Sequence, residues 1–222
     1  MVKLFNRKQM TELIKMIAVI DYGAGNIRSV YKALKHIGCD CVITRDKNEI
    51  LNADGAVLPG VGSFGDTMDT MKSYGIKDTV IEYINSGKPF LGICLGLQLL
   101  FPESEESPNV KGLSVFDGTI TKIPSGEGLK IPHIGWNSLK INKKSRLFKG
   151  VEQNAYVYFV HSYFLNASDR SIVAAQTEYG VTIDAAVEKG NVFATQFHPE
   201  KSGETGLKIL RNFADIANGR EE

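Results

Sequence analysis

Cys94 has the surroundings of a nucleophile. It sits in Gly92-Ile93-Cys94-Leu95-Gly96, where a buried, strand-like apolar run meets an apolar helical one. A tight strand-to-helix turn with small flanking residues strains the central backbone, the arrangement of a nucleophile elbow with Cys in place of Ser. The following helix would point its N-terminus at the sulfur, which favours thiolate over thiol. By itself the pentapeptide is equally compatible with a core cysteine in a glycine-rich turn.

A thiolate that transfers acyl groups needs a base, and the base needs an orienting partner. Four histidines are available. His36 lies beside Lys35 on a helix and reads as a surface residue, and His133 follows Pro132 in an apolar stretch and reads as a satisfied core residue. His161 and His198 both end strands that could reach the carboxyl edge of a sheet. His198-Pro199-Glu200 separates them. In extended backbone, residues two apart share a face, so Glu200 would accept from one imidazole nitrogen and leave the other facing Cys94, while Pro199 disfavours a helix. His161-Ser162-Tyr163 has no carboxylate at that spacing. Oxyanion donors are expected in Pro59-Gly60-Val61-Gly62-Ser63-Phe64, whose two glycines allow the N–H groups around Val61 and Gly62 to be exposed, with the Leu95 N–H as a further donor. Gln98, one helical turn after Cys94, would share its face.

One motif is rejected. Gly23-Ala24-Gly25, with Asp46 about 20 residues further on, suggests a dinucleotide fingerprint, but Arg28 occupies the third glycine position and would obstruct the close helix–strand approach. Neither a cofactor nor a metal is expected.

The elements that must position these residues alternate. An apolar run at 17–20 leads into a glycine turn and then Ile27, Val30, Leu34 and Ile37 at helical spacing. Strands at 41–43 and 56–58, a helix at 76–84 and a strand at 89–93 follow, which implies a parallel sheet covered by helices. The stretch 103–109 reads as a solvated loop. Beyond it the texture becomes strand-rich, with runs at 131–134, 156–164, 172–176, 181–187 and 192–197, and a last helix at 206–217. The expected fold class is α/β, with a mixed, mostly parallel central sheet and a strand-rich C-terminal half.

Composition sets the outer bounds. The 222 residues carry 26 Lys and Arg against 25 Asp and Glu, a balance that argues against a nucleic-acid footprint. The longest apolar stretch, 90–101, is twelve residues with two Gly and one Gln, short of the ~20 a bilayer span needs. Three cysteines, with Cys39 and Cys41 poorly placed to bridge each other, fit a reducing cytoplasm. Residues 1–15 carry four positive charges and one negative, leaving 22 positive and 24 negative on 16–222. They form an N-terminal extension of unknown role, lacking the apolar centre of a secretory signal, ahead of a single domain over 16–222.

Taken together the chain resembles class I glutamine amidotransferase domains, whose triad runs Cys, His, Glu in that order. It is similar in particular to the glutaminase subunits of imidazole glycerol phosphate synthase, through DYGAGN at 21–26, PGVGSF at 59–64, PHIGWN at 132–137, YFVHSY at 158–163 and QFHPEKSG at 196–203. The related pyridoxal-phosphate synthase glutaminases typically carry Pro-Gly-Gly-Glu-Ser where PGVGSF stands. The resemblance implies a flavodoxin-like three-layer sandwich, with Cys94, His198 and Glu200 as catalytic residues and Val61, Gly62 and Leu95 as oxyanion donors. It also implies glutamine binding by Gly60, Gln98 and the backbone of Ser162 and Tyr163, and an interface at Trp136, Asn137 and Tyr158. The implied partner is a separate (β/α)8-barrel synthase subunit in a heterodimer, which uses the ammonia to make imidazole glycerol phosphate and the aminoimidazole carboxamide ribonucleotide of histidine biosynthesis. Other readings of the same residues are a glutaminase feeding a different synthase, a non-catalytic partner-binding module, and a cysteine hydrolase acting on peptides.

Overall fold

The computed structural model describes residues 15–220 except Ala24, Glu127 and Lys143, so all but Lys15 of the N-terminal extension lies outside the described residues. The first half alternates as its apolar periodicity dictates: β1 (Met16–Ile20), α1 (Ile27–His36), β2 (Asp40–Thr44), α2 (Lys47–Asn52), β3 (Gly55–Gly60), α3 (Phe64–Ser73), α4 (Ile76–Asn85) and β4 (Phe90–Cys94). A one-turn helix, α5 (Leu95–Gln98), follows β4 directly. The second half contains β5 (Glu103–Ser104), β6 (Gly118–Lys122), β7 (His133–Ser138), β8 (Lys140–Ile141), β9 (Tyr156–His161), β10 (Tyr163–Ala167), β11 (Val173–Glu178), β12 (Thr182–Lys189), β13 (Val192–Thr195) and α6 (Gly203–Asn218).

Among the described residues one eleven-stranded sheet runs β2-β1-β3-β4-β13-β12-β10-β6-β5, with β11 paired to β12 and to β8. From β2 to β13 the neighbours are parallel, and from β13 to β6 they are antiparallel. The parallel strands are buried on both sides, which is why they read as continuous apolar runs. On one face Leu34 of α1 and Leu210 and Phe213 of α6 pack over Val57, Leu91 and Phe193; on the other, Met68, Met71, Val80 and Tyr83 of α3 and α4 cover Leu58 and Phe90. Burying a side chain of the size of Phe213 stabilises the fold by roughly 1.5–3 kcal/mol. No helix of the described residues is long and apolar enough to cross a membrane.

Several elements differ from the sequence reading. The run at 156–164 is two strands: the chain leaves a β7–β9 ribbon at His161 and enters the main sheet at Tyr163, with Ser162 as the crossing point. The solvated loop at 103–109 begins with β5, parallel to β6. Helix α3 is unanticipated, because Gly65 and two threonines dilute an apolar pattern that nevertheless buries Phe64, Met68 and Met71. Its start is set by Ser63, whose hydroxyl accepts from the Asp66 N–H.

Candidate active site

The sheet order puts the carboxyl ends of β3, β4 and β13 side by side, where open α/β sheets gather their ligands. Cys94 ends β4 with φ 55° and ψ −106°, outside the regions an L-residue prefers. Strain of this kind costs about 1–3 kcal/mol and persists only where the surroundings over-determine it. They do so here. A Cβ on Gly92 would lie 2.5 Å from the Gly96 carbonyl oxygen, and one on Gly96 would lie 2.0 Å from that of Leu58. Only glycines therefore let the chain turn this tightly against β3. Helix α5 is a single turn, so the long dipole expected behind the sulfur is not present. The groups acting on Cys94 are its immediate neighbours instead.

Gly60 ends β3 opposite Cys94. A Cβ there would meet Tyr22 Oη at 2.7 Å, Leu95 Cβ at 2.8 Å and the Gly96 nitrogen at 2.9 Å, so its role is close approach. Val61 and Gly62 follow directly after β3, Gly62 with φ +114°. Together with Cys94, Leu95, Gln98, Ser162, Tyr163 and His198 they line a cavity of about 310 Å³. A larger cavity of about 730 Å³ on another part of the surface, around Phe148 and Asn212, has neither cysteine nor histidine among its described lining residues.

His198 extends beyond β13 and is fully buried. Its Nδ1–H donates to Glu200 Oε1 at 2.8 Å, in a pair whose side chains have no exposed surface. Pro199–Lys201 is a 3₁₀ turn, so the extended His-Pro-Glu geometry expected from the sequence is corrected: the turn, with Pro at its first position, carries the carboxylate round to the imidazole. The backbone of His198 is clamped on both sides. Its N–H donates to the Tyr158 carbonyl at 3.0 Å, and its own carbonyl accepts from Ser202 Oγ at 2.6 Å. Burial pushes the His198 pKa down, but hydrogen bonding and charge from Cys94 and Glu200 outweigh it and raise it to about 9. Nε2 has no well-aligned hydrogen-bond partner. The contact with the thiol is thus loose in the resting chain, as catalytic hydrogen bonds often are without substrate.

His161 lines the same cavity but is spoken for. Its Nδ1 lies 2.9 Å from the Tyr163 carbonyl and its Nε2 3.1 Å from His133 Nδ1. Burial, opposed by the Tyr163 carbonyl and reinforced by His133 and His198, lowers its pKa to about 3. His133 is stacked between Phe159 and Tyr179, the core residue its sequence context suggests. His36 is exposed.

Three contributors are not identifiable from local sequence. Asn26, in a left-handed conformation at the start of α1, donates from Nδ2 to Glu200 Oε1. The glycine turn that imitates a dinucleotide fingerprint thus delivers an amide to the dyad. Glu106 lines the cavity and accepts from the Phe64 N–H at 2.7 Å. Gln196 approaches Cys94 from β13. The expected glutamine contacts are constrained too: the Ser162 carbonyl accepts from the Ile123 N–H, and the Tyr163 carbonyl from Gln98. The Gln98 amide nitrogen is committed, leaving its oxygen free to face a ligand.

Trp136 and Tyr158 are paired across the β7–β9 ribbon, edge-on at 6.1 Å, outside the cavity. Trp136 is 54 % exposed, beside exposed Ile134 and Tyr156. Asn137 differs from them. Its Nδ2 donates to the Glu178 carbonyl and its Oδ1 accepts from the Ser138 N–H, so its polar atoms are engaged within the chain rather than presented to a partner.

Comparison with known proteins agrees with this geometry. The family model described as glutamine amidotransferase class-I matches residues 18–217. Among curated proteins, the imidazole glycerol phosphate synthase subunit HisH of Caldanaerobacter subterraneus and that of Methanothermobacter thermautotrophicus are each 52 % identical over 201 residues, covering 90 % of this chain and 98 % of the relative. HisH of Geobacillus kaustophilus is 48 % identical over 209 residues. Among solved structures, a glutamine amidotransferase superposes with a TM-score of 0.72 and PurLQS from Thermotoga maritima with 0.70. Both are 22 % identical in sequence and cover at least 90 % of this chain, a likeness of fold.

Proposed function

The chain belongs to the class I glutamine amidotransferases and, within them, to the HisH subunits of imidazole glycerol phosphate synthase, and from that premise we propose how residues 16–222, as one domain, perform the glutaminase reaction. The observation that carries the mechanism is the strained Cys94 facing a buried His198–Glu200 pair across one cavity. The Cys94 sulfur attacks the side-chain amide carbon of L-glutamine. The oxyanion is met by N–H groups of Val61, Gly62 and Leu95, with preorganised donors of this type contributing about 2.7–4 kcal/mol each. Protonated His198 gives its Nε2 proton to the amide nitrogen, ammonia leaves, and a thioester remains. His198, now neutral, takes a proton from water, the hydroxide oxygen bonds to the acyl carbon, and the carbon–sulfur bond breaks to release glutamate. Glu200 holds the imidazole tautomer throughout.

Glutamine would enter with its α-amine towards Glu106, the acidic residue among those lining the cavity and so the one that can pair with its positive charge. Backbone N–H groups at Ser162 and Tyr163 would take the α-carboxylate, and Gln98 Oε1 and the Gly60 turn would complete the site.

The ammonia serves a second subunit. The relatives are named as one subunit of a synthase, so the reading is a heterodimer in the cytoplasm with a (β/α)8-barrel synthase subunit, docked on the exposed aromatic face of the ribbon at Trp136 and Tyr158. Aromatic anchors of this kind dominate interface energetics. That face is mechanically tied to the base: the Tyr158 carbonyl accepts from the His198 N–H, and the Tyr158 N–H donates to Ser202 Oγ, which in turn bonds the His198 carbonyl. Docking therefore acts one hydrogen bond away from the catalytic imidazole.

The decisive experiment is coexpression with a barrel synthase subunit, followed by assay of glutamate release with and without the ribulosyl-formimino nucleotide. The expected result is glutaminase activity that rises on complex formation and again with nucleotide. Equal turnover by the isolated chain would overturn the coupling, and absence of turnover in every combination would overturn the reaction.

A further inference from the structure

Gln196 has no part in the mechanism above, yet it reaches the reacting atom. Thr195 at the end of β13 pairs with Ile93 of β4, so the next residue of each strand, Gln196 and Cys94, are brought together by register. The Gln196 side chain is fully buried, and its Nε2 lies 3.6 Å from Cys94 Sγ, within hydrogen-bonding range of sulfur.

The orientation of this amide follows from the groups around it. The Tyr163 carbonyl can only accept, so the end of Gln98 that faces it at 3.0 Å is the NH2 group. The second hydrogen of that group reaches Gln196 at 3.0 Å, so the atom of Gln196 on that side is the oxygen. What remains to face Cys94 is the Gln196 NH2 group. The chain terminates on a backbone carbonyl that is itself held by His161 Nδ1, so neither amide can flip without losing a buried hydrogen bond.

We propose that Gln196 is a further catalytic residue, whose buried amide N–H donates to the Cys94 thiolate. The assignment rests on the thioester reading of Cys94. The thiolate is the nucleophile of the first step and the leaving group of the second. In the second step the carbon–sulfur bond breaks, its electron pair returns to sulfur, and the Gln196 N–H is already in place to meet the charge. Hydrogen bonds to an ionised partner are roughly twice as strong as neutral ones, and water has little access to supply a substitute at a residue only 7 % exposed.

The test is the pH dependence of iodoacetamide labelling of the full chain, read by mass spectrometry on the peptide containing Cys94 so that Cys39 and Cys41 do not contribute. Gln196→Met keeps the length and apolar bulk but removes the donor. It is expected to raise the labelling midpoint by about one pH unit, with labelling on the acid side of the wild-type midpoint slowed by about tenfold. Gln196→Glu keeps an oxygen for Gln98 and sets a carboxylate against the sulfur, and is expected to raise the midpoint further. It decides the matter if the methionine variant lacks a wild-type thermal transition. A wild-type midpoint in either folded variant overturns the assignment. Glutamate release by the wild-type pair of subunits tests the underlying reaction separately: if it is normal while the midpoints do not move, this assignment alone fails.

Discussion

His198 and His161 line one cavity and are both buried, yet the first is driven towards its charged form and the second away from it. The difference lies in what each ring touches. His198 has a carboxylate on Nδ1 and the Cys94 sulfur towards Nε2, and these outweigh the burial that opposes charge. His161 has a carbonyl on one side and another imidazole on the other, and the carbonyl alone is too weak to offset burial. An imidazole in a cavity wall is therefore a base or a structural strut according to whether an anion is within reach. Cys94 and Glu200 together make the distinction, and of the two only Glu200 can lose its charge without removing the nucleophile.

The largest expected effect comes from erasing that distinction. Glu200→Gln removes the charge with little change in volume, and should lower glutaminase turnover of the assembled enzyme by about 10²- to 10⁴-fold. The His198 pKa should also fall, visible in an NMR titration of the imidazole. Turnover within threefold of wild type would mean that Glu200 does not set the difference between the two histidines. A smaller effect is expected one bond further out. Asn26→Ala removes the amide that holds Glu200 Oε1 but leaves the charge. A hydrogen bond to an ionised group is worth about 1.5–3 kcal/mol, and part of that loss should be recovered by rearrangement, leaving turnover lowered by roughly tenfold with glutamine KM little changed. A shift confined to KM would assign Asn26 to substrate binding instead.

How much of this is legible in the sequence depends on how locally each contact is made. Cys94 between Gly92 and Gly96, and His198 two residues from Glu200, are short-range patterns, so their chemistry is readable from the residues themselves. The means can still differ, since a 3₁₀ turn brings Glu200 to His198 where an extended segment is expected. Asn26 and Gln196 reach the site only through the order of β1, β3, β4 and β13 and the register between them, and Glu106 through the turn after β5 that bonds the start of α3. Nothing within a few residues of each announces its target. Asn137 shows the opposite limit: it sits in the same motif as Trp136, but the neighbouring position on a strand turns to the other face, where the Glu178 carbonyl takes its amide.

The smallest expected effect on turnover, and the one that separates the two corners thermodynamically, comes from His161→Gln. A histidine whose folded pKa is raised contributes stability that is complete below its unfolded value near 6.5 and is lost as pH rises. For His198 that loss runs up through about 9. A histidine whose folded pKa is lowered does the reverse. The unfolded chain then binds more protons in mildly acid solution, so its contribution is complete above about 6.5 and is lost as pH falls. For His133 and His161 that loss runs towards about 4 and about 3. Glutamine at 161 does not titrate, so urea unfolding between pH 6.5 and 4.5 should show a shallower loss of stability than wild type, by up to about 1.4 kcal/mol per pH unit. Comparing the two proteins at each pH cancels the carboxylates common to both. Turnover should stay within about threefold, and the alkaline limb set by His198 should not move, because His161 neither faces the leaving nitrogen nor holds Glu200. A pH slope equal to wild type would show that His161 is charged in the folded chain. The two histidines would then differ in position alone.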